Sequence, residues 1–245
     1  MSRNVLVTGA SRGIGRAIAL AFAEQGDRVV VHCGSRRDEA ETTLERLPGE
    51  GHILLQADLA DPDEAASLVG RAVDRAGGID VLVNNAALNP AHPVASVSFD
   101  EWRTAWRSVM DVNVFGAANV SYLIARHMID RGTRGHIVNV GSRGAYRGEP
   151  DHPAYGASKA ALHSLGQSLA VALAPHGISV ASVAPGFVET ERVADRLTDA
   201  VRADSPFGRV ADPREIAAAV RYLASPEAVW SSGAVLDVNG ASHLR

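Results

Sequence analysis

The chain has 245 residues, of which 46% are hydrophobic and 21% charged, so it is long enough to bury a sizeable core and too apolar for a disordered or fibrous protein. Its 24 Lys and Arg are scattered, with no basic run, against 28 Asp and Glu, a net charge of −4, which argues against a nucleic-acid or anionic-membrane partner. A single cysteine, Cys33, excludes an intrachain disulfide and a multi-thiolate metal site, and the nine dispersed histidines offer no His-Glu-x-x-His spacing, so no metal is expected.

The predicted elements alternate strand and helix. Val5–Thr8 reads as a first strand, and Thr8-Gly9-Ala10-Ser11-Arg12-Gly13-Ile14-Gly15 turns from it directly into a helix over Gly13–Gln25. Glycines at this spacing let a chain turn sharply and bring backbone N–H groups beside a pyrophosphate at the helix N-terminus. The second strand, Arg28–Cys33, ends in Gly34-Ser35-Arg36-Arg37 with no acid before Asp38. A site for an unphosphorylated ribose usually places a carboxylate there, whereas a 2′-phosphate needs cations and hydroxyls. Arg36, Ser35 and Arg12 therefore favour NADP(H) over NAD(H), the alternative being that these arginines are solvated surface.

A helix over Arg37–Arg46 leads to a third strand, His52–Ala57, followed by Asp58 and Leu59. Asp58 either accepts from an adenine amino group or caps a turn. Asp61-Pro62 opens a helix over Pro62–Ala76, with the aspartate as cap and proline in the first turn. The fourth strand, Ile79–Asn84, closes on Asn85-Ala86-Ala87, small residues that let a ribose or ring pass close to the backbone. An irregular stretch, Leu88–Ser98, precedes a long helix over Phe99–Arg131.

The fifth strand, His136–Gly141, ends at Ser142, and a helix over Ala154–Ala174 carries Tyr155 and Lys159 four apart on one face. A free phenol ionises near about 10, too high for a base at neutrality, and a neighbouring ammonium favours the phenolate. On this reading Tyr155 protonates a carbonyl oxygen as hydride reaches its carbon, Ser142 orients that oxygen, and Lys159 tunes the phenol and reaches the ribose. A surface Tyr/Lys pair is the alternative. A sixth strand, Ile178–Ala184, a helix over Thr190–Ala203, a helix over Pro213–Ala224 entered through Asp212, and a last strand, Val235–Val238, complete the order.

Seven strands alternating with helices predict one α/β domain over residues 1–245, a doubly wound parallel seven-stranded sheet with helices on both faces, the Rossmann fold. No secretory leader or run of about eighteen apolar residues is present, so a cytoplasmic chain is expected.

These residues together resemble the short-chain dehydrogenase/reductase family: the turn at Thr8–Gly15, Asp58, the Asn-Asn-Ala element at Asn84–Ala86, Asn113, Ser142, the Tyr155/Lys159 pair, and Pro185-Gly186 followed by Thr190. The resemblance implies a catalytic tetrad of Asn113, Ser142, Tyr155 and Lys159, with the asparagine at a disturbed point of its helix holding a water of a proton relay. It also implies nicotinamide contacts from Pro185, Gly186, Val188 and Thr190, a substrate lid over residues 186–206, and a homotetramer joined partly through the helix of Tyr155. The small residues Ala160, Ala161 and Gly166 suit that packing, or equally packing within one subunit.

Within the family, Pro185–Thr190 and Val238-Asn239-Gly240 look like bacterial 3-oxoacyl-[acyl-carrier-protein] reductases, implying an acyl-thioester substrate. Three features depart from that group: Ala87 where glycine is usual, His176 where a carrier-docking arginine is usual, and a polar segment from Ser142 to Glu149. Arg143, Tyr146, His152, Asn89, His92 and Phe187 are accordingly candidates to line a pocket for a smaller or anionic substrate, or ordinary loop surface. The expected activity is reduction of a ketone with NADPH. The alternatives are oxidation of a small alcohol, sugar or steroid, and a non-catalytic dinucleotide-sensing regulator.

Overall fold

Val5, Leu6 and Val7 are fully buried, as are Val29, Val30 and Val31 and Val81, Leu82 and Val83, because each run lies inside a sheet covered on both faces. The computed structural model describes residues 2–191 and 197–244. Its strands are β1 (Asn4–Val7), β2 (Arg28–Cys33), β3 (Ile53–Gln56), β4 (Val81–Asn84), β5 (Gly135–Val140), β6 (Ile178–Pro185) and β7 (Val235–Val238). All pair parallel in the order β3-β2-β1-β4-β5-β6-β7.

Alternate residues of each strand feed opposite cores, as the two-residue period of a strand requires. Val5, Val7, Val29, Val31 and Val183 pack with Ile18 and Phe22 of α1 (Gly13–Ala23) and Ile216 and Val220 of α8 (Pro213–Leu223). Leu6, Val30, Leu82, Ile137 and Val180 pack with Leu68 of α3 (Pro62–Ala76) and Val120, Ile124 and Met128 of α5 (Ala117–Asp130). Cys33 belongs to the first core, where burial pushes its thiol up from the ordinary value. The strand order reverses between β1 and β4, and the crevice at their carboxyl ends is where such sheets bind ligands.

The capping residues act as their chemistry dictates. Asp61 accepts the Asp63 and Glu64 N–H groups at 2.8 and 3.2 Å, and Asp212 forms a reciprocal cap with Glu215. One helical expectation gains a local detail and another is covered only in part. The segment Phe99–Arg131 is α4 (Phe99–Met110), a π-helical stretch (Asp111–Gly116) and then α5, so the helix is continuous but carries a widened turn at Asn113. The helix expected over Thr190–Ala203 is reduced, among the described residues, to α7 (Asp199–Ala203). Val188 bridges to Ala211, with Glu189 N–H donating to the Ala211 carbonyl at 2.8 Å, which ties the chain just before Thr190 to the segment before α8. Thr198 then caps α7 by accepting the Val201 N–H. Residues 192–196 of the expected lid lie outside the described residues.

Candidate active site

The carboxyl ends of β1, β2, β4, β5 and β6 open onto one cleft of about 1050 Å³. Its floor is the turn after β1. Gly9 has φ +64°, and a Cβ there would come within 2.8 Å of the Ala86 backbone; a Cβ on Gly15 would run into the Gly9 carbonyl and lie 2.5 Å from Asn85 Nδ2. Thr8 sits behind this floor. Its Oγ1 accepts the Asn85 and Ala86 N–H groups at 3.0 and 3.1 Å, while Asn85 Nδ2 donates to the Thr8 and Gly9 carbonyls, both at 2.9 Å. Four close hydrogen bonds thus lock the end of β1 to that of β4. No side chain caps α1 and no acid lies in its first turn, so Gly13, Ile14 and Gly15 present free helix-end dipoles to the cleft. This bare, glycine-walled helix end fits a dinucleotide pyrophosphate.

Ser35, Arg36 and Arg12 line the cleft at the end of β2. Both guanidiniums also reach Glu39 of α2 (Arg37–Glu45), at 2.9 Å from Arg36 Nη1 and 3.6 Å from Arg12 Nε. At the end of β3, Asp58 and Leu59 line the wall with Gln56, Ala57 and Glu64. Asp58 caps a turn: its Oδ1 accepts the Ala60 N–H at 2.9 Å, and its own N–H donates to Glu64 at 2.6 Å.

Sequence reasoning misses His32, which lines the cleft and braces the glycine turn. Its Nδ1 accepts the Gly9 N–H at 3.1 Å and its Nε2 donates to the Ala57 carbonyl at 3.0 Å. Burial outweighs the carbonyl and lowers its pKa to about 4, so the imidazole is neutral.

At the other end stand Ser142, Tyr155 and Lys159. Ser142 Oγ accepts the Gly144 N–H at 3.0 Å, which fixes the hydroxyl at the start of the turn after β5 and leaves its proton to donate. Tyr155 is the third residue of α6 (Pro153–Leu173). Lys159, one helical turn on, is 2% exposed; its Nζ donates to the Val140 carbonyl at 2.7 Å and lies 5.6 Å from the centroid of the Tyr155 ring.

Asn113 lies outside the lining. Its Oδ1 accepts the Leu88 N–H at 2.7 Å, and its Nδ2 donates to the Leu88 carbonyl and to Ser158 Oγ, both at 3.0 Å. It therefore braces the loop after β4 against α6. On its other side the π-helical turn presses on the segment after β3, closely enough that a Cβ on Gly116 would meet the Leu59 carbonyl at 2.6 Å.

The substrate candidates divide. Asn89, Arg143 and Phe187 line the cleft, joined by Glu149, which the sequence alone does not single out. Arg143 is buried, pairs with Asp204 at 2.6 Å and lies over the Phe187 ring, so its charge is already balanced by protein. His92 and His152 are buried behind the cleft: His92 accepts the Ala154 N–H and both rings donate to the Pro90 carbonyl. Tyr146 is exposed and stacked between His163 and His243. On the cofactor side, Ala87, Pro185, Gly186, Val188 and Thr190 all line the cleft. Gly166 packs within the subunit, where a Cβ would meet Asn139 Nδ2 at 2.8 Å. No described helix is long and apolar enough to cross a membrane.

Comparison with known proteins agrees with this geometry. Residues 3–200 match the family described as short chain dehydrogenase. The chain is 35% identical, over 100% of its length and 99% of the relative's, to the 3-oxoacyl-[acyl-carrier-protein] reductase FabG of Staphylococcus aureus (strain Mu50). It is 36% identical to the enzyme of that name from Vibrio cholerae, covering 98% of this chain and 96% of the relative. At 35% identity it also resembles the L-rhamnose 1-dehydrogenase (NAD(P)(+)) of Sphingomonas sp. (strain SKA58), covering 99% of this chain and 96% of the relative. A glycine-floored cleft and full-length likeness to such enzymes establish that the chain belongs to the short-chain dehydrogenase family and is an NAD(P)-dependent oxidoreductase.

Proposed function

We propose that this enzyme reduces a ketone to a secondary alcohol with NADPH, using Tyr155 as the proton donor. The observation that carries the reading is that Tyr155, Ser142 and Lys159 share one cleft with the glycine turn of α1. Gly9, Ser11, Gly13, Ile14 and Gly15 would hold the pyrophosphate, Asp58 and Leu59 the adenine side, Asn85, Ala86 and Ala87 the middle, and Pro185, Gly186, Val188 and Thr190 the nicotinamide. Arg12, Ser35 and Arg36 would hold a 2′-phosphate, which favours NADP(H). The bound cofactor supplies hydride to the carbonyl carbon. Ser142 donates a hydrogen bond to the carbonyl oxygen, Tyr155 gives that oxygen its phenolic proton, and Lys159 stabilises the phenolate left behind. Asn113 acts as a positioning residue through Leu88 and Ser158.

The reductase relatives support a 3-oxoacyl thioester as substrate. A second reading, a small hydroxylated ketone or alcohol, is favoured by the cleft's own Glu149 and by the pairing of Arg143 with Asp204, which leave a polar rather than oily substrate end. Turnover of NADPH against acetoacetyl thioester and dihydroxyacetone separates the two. Exposed Val171 on α6 and Trp230 after α8 offer apolar surface for the proposed homotetramer. Tyr155→Phe tests the chemistry: cofactor binding measured by nicotinamide fluorescence should persist while turnover falls by about 10³-fold. Ordinary turnover in that variant would assign the proton to another group.

A further inference from the structure

The corner proposed for the 2′-phosphate already contains a carboxylate. Glu39, in the first turn of α2, bridges the two arginines that would receive the phosphate, with Oε1 at 2.9 Å from Arg36 and Oε2 at 3.6 Å from Arg12. Arg12 and Arg36 face the cleft, whereas Glu39 is not among its lining residues. Glu39 Oε2 is shut off from solvent and has no hydrogen-bond partner among the described residues, so on that oxygen Arg12, at ion-pair distance, joins Arg36 on the other in offsetting the charge.

We infer that Glu39 is an internal competitor for the 2′-phosphate, a specificity-determining residue that gathers Arg12 and Arg36 and holds the preference for NADP(H) below what the two arginines alone would give. The inference rests on the NADP(H) reading above. A phosphate monoester carries close to two negative charges near neutrality. To bind it, Arg36 and Arg12 must turn donors away from Glu39 or share them, leaving two anions about one guanidinium apart. A ribose hydroxyl carries no charge and meets no such opposition, so the penalty falls on the phosphorylated cofactor alone. The Arg36–Glu39 pair is 52% and 35% exposed, and pairs this open are weak and screened by salt. The phosphate therefore displaces the carboxylate, at a loss of several-fold rather than many orders in affinity.

The test uses the full chain and ligands that probe this corner without the nicotinamide. Calorimetric binding of adenosine 2′,5′-bisphosphate and of 5′-AMP is compared in the parent, Glu39→Gln, Glu39→Ala and Arg36→Ala proteins, with thermal unfolding as the check of folding. Both Glu39 variants should bind the bisphosphate about three- to tenfold more tightly, less so in high salt, with 5′-AMP changed by less than about twofold. Arg36→Ala should weaken the bisphosphate alone. If Arg36→Ala weakens the bisphosphate while the Glu39 variants leave it unchanged or weaker, the competitor role is overturned and the phosphate reading stands. If Arg36→Ala leaves the two ligands equally affected, the phosphate reading fails and the role of Glu39 with it. Equal tightening of both ligands in the Glu39 variants would also overturn the inference, because an effect confined to the 2′-phosphate cannot act on 5′-AMP, which lacks that group.

Discussion

His32 joins the glycine turn to the end of β3 through both ring nitrogens, accepting from Gly9 and donating to Ala57, and only the neutral ring can do both. Burial lowers its pKa from the ordinary 6.5 to about 4. An unfolded chain takes up the proton near 6.5 and the folded one only near 4, so between these values the unfolded state binds more protons and stability falls as pH falls. The loss amounts to about 3 kcal/mol once pH reaches the lower value. His136, lowered to about 4 by burial and then by Arg3, adds to the same slope. His32→Phe should therefore be less stable than the parent at pH 7.5, with a gap that narrows toward pH 4.5 in urea unfolding. A gap independent of pH would mean that the imidazole does not stay neutral. Nothing in the sequence singles this residue out, since it lies within a strand and reaches Gly9 only because β2 pairs in register with β1. That Tyr155, Lys159 and Ser142 come together in one cleft was legible, because a serine at a strand end and a Tyr/Lys pair on one face of the next helix must meet there. The balance of Arg143 was not, because its partner Asp204 is 61 residues away.

At the scale of elements, glycine placement separates backbone needed for binding from backbone that is merely tolerated. In α1, a methyl on Gly15 has the Gly9 carbonyl and Asn85 in its way; the Asn85 amide donates to that carbonyl and to the Thr8 carbonyl, so neither is free to give. In α3, Gly70 is exposed, and a Cβ added there would meet nothing within 4 Å. Gly70→Ala should raise stability by about 0.5–1 kcal/mol, since the helix loses only the glycine's excess chain entropy. Gly15→Ala should cost about 1–3 kcal/mol and weaken NADPH binding at least about tenfold, because the turn must open to admit the methyl. Denaturant midpoints and nicotinamide fluorescence check the pair, and equal, small effects at both positions would contradict the close packing of the turn. The alternation of elements and the caps were readable from periodicity and from Asp-Pro pairs. The π-helical turn at Asn113 was expected only through the family resemblance, because nothing in the apolar period of this segment marks a single widened turn. After β6, a contact between distant segments, the bridge of Val188 to Ala211, pins the chain just before Thr190, and no local pattern announces it.

Across the whole molecule, the sheet order and the two cores follow from strand patterning, but what closes the substrate end is a set of contacts between distant segments. Asp204, after α7, pairs with Arg143 at 2.6 Å and Arg147 at 2.9 Å, and Arg147 also donates to the Ser242 carbonyl at 3.0 Å. The turn after β5, the segment after α7 and the tail after β7 are thereby held together beside Ser142. Burial alone would raise the Asp204 pKa, but hydrogen bonds and charge from Arg143 and Arg147 outweigh it and hold the carboxyl below its ordinary 3.8. The sign follows: the contribution is complete above that ordinary value and is lost only as pH drops through the lower folded one, so it is constant across the neutral range. Removing the charge leaves Arg143 buried over Phe187 without its anion. Asp204→Asn should then lower stability at pH 7 by about 1–2 kcal/mol, between the values for an open and a buried pair. The deficit should shrink only as the pH is taken well below 3.8, and at pH 7 KM should rise more than kcat falls, since the substrate wall loosens while Tyr155 and Lys159 keep their places. Arg103→Ala, which breaks the exposed pair with Asp100, should change stability in urea unfolding by no more than about 0.5 kcal/mol. If Asp204→Asn proves as silent as Arg103→Ala at pH 7, the three segments are held by packing alone, and the charge between them adds nothing to the site.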